Sequence, residues 1–347
     1  MLLSDYTTLR LGGPASRLVE ATTEDALVAA VRDADERGEA VLLLGAGSNV
    51  VVADDGFPGT VIRIQTRGWR STRDGTLTFA AGQPWCAAVE IAERGGLAGI
   101  ECLAGIPGLV GATPIQNVGA YGQEVSDTIS AVRALDRRSG EIVELTPERC
   151  GFTYRSSTFK RDPDRFVVLS VSFALDTDEP GTSRPIRYAE LARTLGVEVG
   201  ETAPLPDVRE AVLTLRRGKG MVLDPEDPDT RSAGSFFTNP ILDAADFEAL
   251  RARAGDGLPA FPEPDGRTKT SAAWLIQHAG FTKGYGNPRG IAISSKHVLA
   301  LTNRGQGTTA ELVALAQEIG AAVEEAFGVA LQPEPVFAGH AWAPTPG

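Results

Sequence analysis

The stretch Gly105-Ile-Pro-Gly-Leu-Val-Gly-Ala-Thr-Pro-Ile-Gln-Asn-Val-Gly-Ala-Tyr-Gly122 constrains this chain more than any other feature of its sequence. Its five glycines and two prolines fit neither helical nor strand periodicity. A loop this long inside a folded domain is uncommon unless it serves a ligand. A backbone with so few side chains can lie flat against a large planar group. Its amides can then reach hydrogen-bonding atoms on a ring edge.

A second glycine turn has a clearer frame. Val41-Leu-Leu-Leu44 reads as a buried strand and runs into Gly45-Ala-Gly-Ser-Asn49, where a phosphate-binding turn would stand. Val50 occupies the third position of G-x-G-x-x-G, so a standard dinucleotide Rossmann motif is absent, and no P-loop occurs. Taken alone, an ordinary tight turn accounts for this segment equally well.

Around the two turns the pattern mixes short strands and helices. Helices are expected from Thr22 to Gly38, through Trp85, Val89 and Ala92, at Tyr188–Leu195, Asp207–Arg217, Asp243–Ala254 and Ser271–Gln277, and from the Thr308/Glu311 capping box onward. Strands are expected at Val50–Val52, Thr60–Ile64, Thr76–Ala80, Ile129–Leu135, Glu141–Leu145, Phe166–Leu175, Gly290–Ile293 and Val298–Leu301. Asp224-Pro-Glu-Asp-Pro-Asp229 is a polar break and a candidate linker. The class is α+β.

Composition excludes several alternatives. At 347 residues the chain has room for two or three domains, and a net charge of −12 with no basic block argues against nucleic acid as a partner. The N-terminus lacks a secretory pattern and no apolar run approaches a membrane span, so a cytoplasmic location is expected. Cys86, Cys102 and Cys150 are expected to be reduced and buried. His278, His297 and His340 lack metal-ligand spacing, so no metal site is expected.

Ile106-Pro-Gly-x-Val-Gly-x-x-Pro-x-Gln-Asn-x-Gly-Ala-Tyr-Gly122 resembles the FAD-binding loop of UDP-N-acetylenolpyruvoylglucosamine reductases. The likeness runs over nearly the whole chain. Leu44-Gly-x-Gly-Ser-Asn49 is similar to the family's pyrophosphate loop, and Tyr154-Arg155 with Phe159-Lys160 to its Tyr-Arg motif. Ala233-Gly-Ser-Phe-Phe-x-Asn-Pro240 and Leu331-x-Pro-Glu334 follow in the family's order.

The resemblance implies a vanillyl-alcohol-oxidase-type (PCMH-like) FAD-binding fold in two subdomains, residues 1–72 (completed by 327–347) and 73–220. A C-terminal α+β substrate-binding domain, 221–326, would follow. It implies non-covalent FAD, because the loop has no histidine to carry a covalent flavin, and NADPH as reductant. The substrate would be UDP-N-acetylglucosamine enolpyruvate and the product UDP-N-acetylmuramate, for cell-wall peptidoglycan. FAD contacts would come from Gly45, Ala46, Gly47, Ser48, Asn49, Gly105, Ile106, Pro107, Gly111, Ala112, Thr113, Gln116, Asn117, Gly119 and Ala120. Tyr121, Tyr188, Lys219, Asn239 and His297 would meet the substrate. A monomer is expected.

The chemistry implied is demanding. Hydride added to the terminal carbon of an enol ether leaves charge on the neighbouring carbon and its carboxylate, so that intermediate needs electrophilic stabilisation and then a proton. The resemblance puts Arg155 against the carboxylate, Ser235 as proton donor and Glu334 as assistant. A guanidinium fork suits a carboxylate, and a carboxyl group held near another carboxylate should have a raised pKa. Outside the family, Arg155 would read as a surface ion pair, Ser235 as a turn residue and Glu334 as a solvated tail residue. Ser156 departs from the commoner acidic residue after the arginine, which bears on how Arg155 is oriented. The stretch Gly218–Leu223 is longer than the commoner form, which bears on Lys219. The competing readings are an alcohol-oxidising flavoenzyme of the same fold and a non-catalytic nucleotide-binding sensor.

Overall fold

The computed structural model describes residues 1–342. The chain forms two compact units. One comprises Ser16–Ala46 and Pro58–Val222; the other comprises Met1–Ala15, Gly47–Phe57 and the described residues from Leu223 onward.

The first unit is built on a five-stranded antiparallel sheet, in the order Glu141–Leu145, Ile129–Asp136, Phe166–Ala174, Thr76–Ala80, Trp69–Ser71. Phe166–Ala174 is central, and its first four residues are buried, as a strand covered on both faces requires. Over one face lies helix Glu24–Glu36, capped by the Thr23 hydroxyl. Its buried stripe is Leu27, Val28, Val31 and Ala34, of which the first three pack with Leu135, Val167 and Leu169. Helix Trp85–Arg94 buries Trp85, Ala88, Val89 and Ala92, with the Trp85 ring 5.8 Å from Phe173. That tryptophan also holds the turn that leads into the long glycine loop, because its indole Nε1 donates to the Leu103 carbonyl at 2.9 Å.

The second unit is organised by helix Thr309–Phe327. The Thr308/Glu311 capping box starts it, and Leu312, Leu315, Ala316, Ile319, Val323 and Phe327 face its core. Around it lie helices Ala244–Ala254 and Ala272–His278 and the hairpin Ile291–Ile293/Leu301–Asn303. A parallel pair, Val50–Val52 with Val336–Ala338, joins the turn after Gly47 to the C-terminal segment.

The later of the breaks between the units falls at Val222/Leu223. The stretch 1–72 is shared between the units, for a physical reason. Val41–Leu44 pairs in parallel with Phe57–Ile64, and the helix at Glu24–Glu36 packs on the core of the five-stranded sheet.

Three local expectations are corrected. The strand expected at Val298–Leu301 is Leu301–Asn303; residues before it form a loop closed by Ser294 N–H to the Ala300 carbonyl at 2.8 Å. Cys86 is exposed, since it points away from the Trp85/Val89/Ala92 stripe, whereas Cys102 and Cys150 are buried; all three are free. Asp224–Asp229 is no slack linker. Asp229 is buried, accepts hydrogen bonds from Ser295 N and Oγ (2.9 and 2.6 Å), and pairs with Arg304 at 2.8 Å.

Burial works against the Asp229 charge, but the hydrogen bonds from Ser295 and Ser294 and the Arg304 guanidinium outweigh it and hold the carboxyl below its usual range. Its contribution is therefore present above the ordinary carboxylate pKa and lost as pH falls through the lower folded value. Asp229→Asn should cost on the order of 3 kcal/mol in urea unfolding at neutral pH, the cost of breaking one side of a buried ion pair. An unchanged urea midpoint would show that the pairing adds nothing.

Candidate functional site

In the first unit the glycine loop is pinned at short intervals. Val110 N–H donates to Gln83, Gly111 N–H to Ala81 and Trp85 N–H to Gly108 (2.9, 2.8 and 3.1 Å). A side chain at Gly111 would stand 2.5 Å from Ala81 Cβ, so close packing against the strand end selects glycine there. Asn117 is buried at φ 47°, with Nδ2 donating to Glu124 at 2.7 Å and to the Thr153 carbonyl at 3.3 Å. Gly119–Ala120 then pairs with Gln123–Glu124 through a two-residue turn, Tyr121-Gly122, with φ of 50° and 82°. Two positive values are what a type I′ hairpin needs; tyrosine in the first is costly.

Arg155 shares this strained geometry, at φ 51° in the tight turn Thr153–Ser156. Its Nη2 donates to the Gly119 carbonyl at 2.6 Å and its Nη1 to the Asn117 carbonyl at 3.3 Å, with Glu124 4.0 Å away. The carbonyls of the glycine loop thus orient the guanidinium without help from residue 156. Ser156 instead accepts from Arg161 at 3.4 Å. A Cβ at Gly119 would sit 2.9 Å from Arg155 Nη1 and 2.8 Å from Glu124 Cγ. Gly119→Ala should therefore displace the guanidinium and lower kcat/KM by about a hundredfold, as misplacement near 1 Å can. Wild-type kcat/KM in this variant would show that the guanidinium position is not critical.

Next to the hairpin, the Tyr121 ring meets Tyr188 edge-on at 5.4 Å and carries the Lys219 ammonium 5.7 Å from its centroid. Lys219 donates to Glu190 at 2.8 Å. Burial opposes the lysine charge, but the Glu190 hydrogen bond prevails and leaves its pKa above the ordinary value. Arg216, in the last turn of the helix Leu205–Gly218, stands beside this group. Its Nη2 donates to the Met221 carbonyl at 2.9 Å, while Nε is buried without a hydrogen-bond partner among the described residues. Burial pushes Arg216 down to about 10, partly offset by Tyr121. The only sequence signal for it was a basic residue one helical turn after the buried Leu213.

The second unit gathers the remaining candidates. Phe236 N–H donates to the Leu299 carbonyl, and Glu334 N–H to the Phe236 carbonyl, at 2.7 and 2.8 Å. Phe237 bridges Pro333. The half-buried Ser235 is therefore one residue from Phe236, whose carbonyl holds the Glu334 backbone just ahead of the strand Val336–Ala338. Asn49 closes the group, since its carbonyl accepts from Val336 N–H at 3.0 Å and its Nδ2 reaches the Glu334 carbonyl at 3.5 Å. His297 Nε2 lies 3.5 Å from Ser235 Oγ. Asn239 Oδ1 is engaged by the Ala272 N–H at 3.0 Å, so that end of its amide serves the start of a helix.

Gly45–Asn49 holds nothing larger than asparagine, and Gly47 has φ 64° with no room for a Cβ, which would lie 2.0 Å from the Tyr6 carbonyl oxygen. The small-residue turn, with hydroxyl and amide donors, and the pinned glycine loop each offer donor chemistry that suits part of a flavin dinucleotide.

Comparison with known proteins bears on both parts. A model described as "UDP-N-acetylenolpyruvoylglucosamine reductase, C-terminal domain" matches residues 225–338, and one described as "FAD binding domain" matches 15–146. The UDP-N-acetylenolpyruvoylglucosamine reductase of Streptomyces coelicolor is 60% identical over 98% of this chain and 89% of its own length. That of Thermobifida fusca is 54% identical over 97% and 96%. The crystal structure of the reductase from Thermus caldophilus is similar with a TM-score of 0.64 at 26% identity, covering 97% of both chains.

Proposed function

The chain belongs to the UDP-N-acetylenolpyruvoylglucosamine reductase family, and we propose that Arg155, Ser235 and Glu334 carry the substrate half of its reaction. The enzyme reduces the enolpyruvyl ether of UDP-N-acetylglucosamine to UDP-N-acetylmuramate with NADPH, in peptidoglycan precursor synthesis. FAD, when bound, relays the hydride between the two. The turn Gly45–Asn49 and the loop from Gly105 to Ala120 would hold it.

Arg155 meets the substrate carboxylate and stabilises the charge that develops there. The Asn117 and Gly119 carbonyls fix its plane, which favours pairing in one orientation. This tie between the arginine and the glycine loop is the observation that carries the reading. Ser235 delivers a proton to the carbon next to the carboxylate, and Glu334 assists at the same group. Tyr188, Lys219 and Asn239 would take the nucleotide diphosphate and sugar, with Tyr121 beside them. The Lys219 charge and the aromatic pair Tyr121/Tyr188 support that role.

By duty, residues 1–72 with 327–347, and 73–220, serve the flavin, and 221–326 the substrate. The family-model match from 225 supports the last of these. A monomer in the cytoplasm is the simplest state for an enzyme of soluble nucleotide substrates; no helix among the described residues is long and apolar enough to cross a membrane. Sedimentation should give one chain per particle.

Stoichiometry tests the whole reading. One NADPH should disappear per UDP-N-acetylmuramate formed, without oxygen uptake, and denaturation should release intact FAD. NADPH loss coupled to oxygen uptake without the muramate would overturn it.

A further inference from the structure

A serine that gives up a proton to carbon is left as an alkoxide, and a hydroxyl of ordinary acidity needs its proton restored. The loop between strands Ile291–Ile293 and Leu301–Asn303 holds a group placed to do so. His297 stands on it with Nε2 3.5 Å from Ser235 Oγ, at the outer limit of a hydrogen bond. Catalytic hydrogen bonds often have this length before substrate arrives and tighten afterwards.

The histidine is held from behind. Its backbone N–H and that of Lys296 both donate to Ser294 Oγ, at 3.2 and 3.0 Å. Ser294 is buried, and its N–H closes the loop on Ala300 at 2.8 Å. Asp229 anchors the next residue through Ser295 N and Oγ, and Lys296 pairs with Asp227 at 2.6 Å. On the other side, Phe236 N–H is bonded to Leu299 at 2.7 Å, so the Ser235 backbone is tied to the same loop. The segment Asp227–Asp229, which composition alone would leave as a spacer, is the foundation of this loop.

We infer that His297 is the positioning and relay partner of Ser235, held in place by Asp229 through the Ser294–Ser295 turn. This rests on the reading of Ser235 as proton donor. As the Ser235 O–H bond breaks, a C–H bond forms at the carbon next to the substrate carboxylate. The resulting alkoxide takes the proton from Nε2 of the imidazolium, and the neutral ring regains one from water. The net transfer is one solvent proton to carbon, and no electrons leave the flavin–substrate couple in these steps.

The test uses the holoenzyme, reduced anaerobically by NADPH and then mixed with UDP-N-acetylglucosamine enolpyruvate. His297→Ala should be reduced at the wild-type rate but reoxidised by substrate roughly a hundredfold more slowly. Added imidazole should restore part of that rate, which a purely structural defect would not allow. In a Ser235→Ala background, His297→Ala should add no further loss, because the two act in one step. Should His297→Ala lose its flavin, His297→Gln takes its place, with the same slow reoxidation expected. A His297 variant that reoxidises normally, or multiplied losses in the double variant without imidazole rescue, would overturn the relay alone. If Ser235→Ala itself reoxidises normally, the donor assignment falls and the relay falls with it.

Discussion

Ser235→Ala is expected to retain FAD and accept electrons from NADPH at close to the wild-type rate, yet pass them to the enolpyruvyl substrate about a thousandfold more slowly, within the range for losing a general acid. The asymmetry follows from the proposed role, since the hydroxyl is used only when the substrate carbon is protonated. Ser235 itself sits on a segment fixed by Phe236 to Leu299 and by Glu334 to Phe236. Losing one hydroxyl from a half-buried position beside Gly234 should cost little stability. Stopped-flow absorbance separates the two half-reactions. Equal slowing of both would mean that the serine supports the flavin, and would remove it from the proton step.

Arg155→Met is expected to be at least as damaging to the same half-reaction, by about a thousandfold or more. Arg155→Lys should recover little of it, since an ammonium keeps the charge but loses the planar fork. Strain at the residue points the same way. A non-glycine φ of 51° costs free energy, and Asn117 and Tyr121 share the condition within the same cluster. Removing the guanidinium also strips the Asn117 and Gly119 carbonyls of a donor, so a modest loss of flavin affinity should accompany the kinetic defect. Near-normal substrate reoxidation in Arg155→Lys would show that charge alone suffices and that bidentate orientation is irrelevant.

Much of the fold was legible because its signals are local. Thr23 and the Thr308/Glu311 box announce helices that begin where expected, and the alternation after Leu169 marks a strand covered unevenly. The misread strand had a non-local cause. Val298, Leu299 and Ala300 look like strand residues because they are buried, but they are buried within a loop. Asn303, a poor strand former, sits in the true strand because its side chain is engaged elsewhere. Its Nδ2 donates to the Leu9 carbonyl at 3.0 Å, and its Oδ1 accepts from Gly305 and Gly307.

The site divides along the same line. The glycine loop could be read directly, since its composition excludes regular structure. Glu334 carried no signal of its own, because its meaning comes from Asn49 and Phe236, both far from it along the chain. Asp229 was hidden for the opposite reason. Acidic residues among prolines resemble a solvated break, and only Ser295 and Arg304 on distant segments reveal a buried anchor. The orientation of Arg155, left open by Ser156, is settled by main-chain carbonyls that no side-chain pattern could announce.

Anaerobic reoxidation of the NADPH-reduced holoenzyme tests the central claim most directly. On mixing with UDP-N-acetylglucosamine enolpyruvate in the absence of oxygen, the oxidised flavin spectrum should return in a single turnover and yield UDP-N-acetylmuramate. A flavin that stays bleached with substrate present, and recovers only when oxygen is admitted, would contradict it.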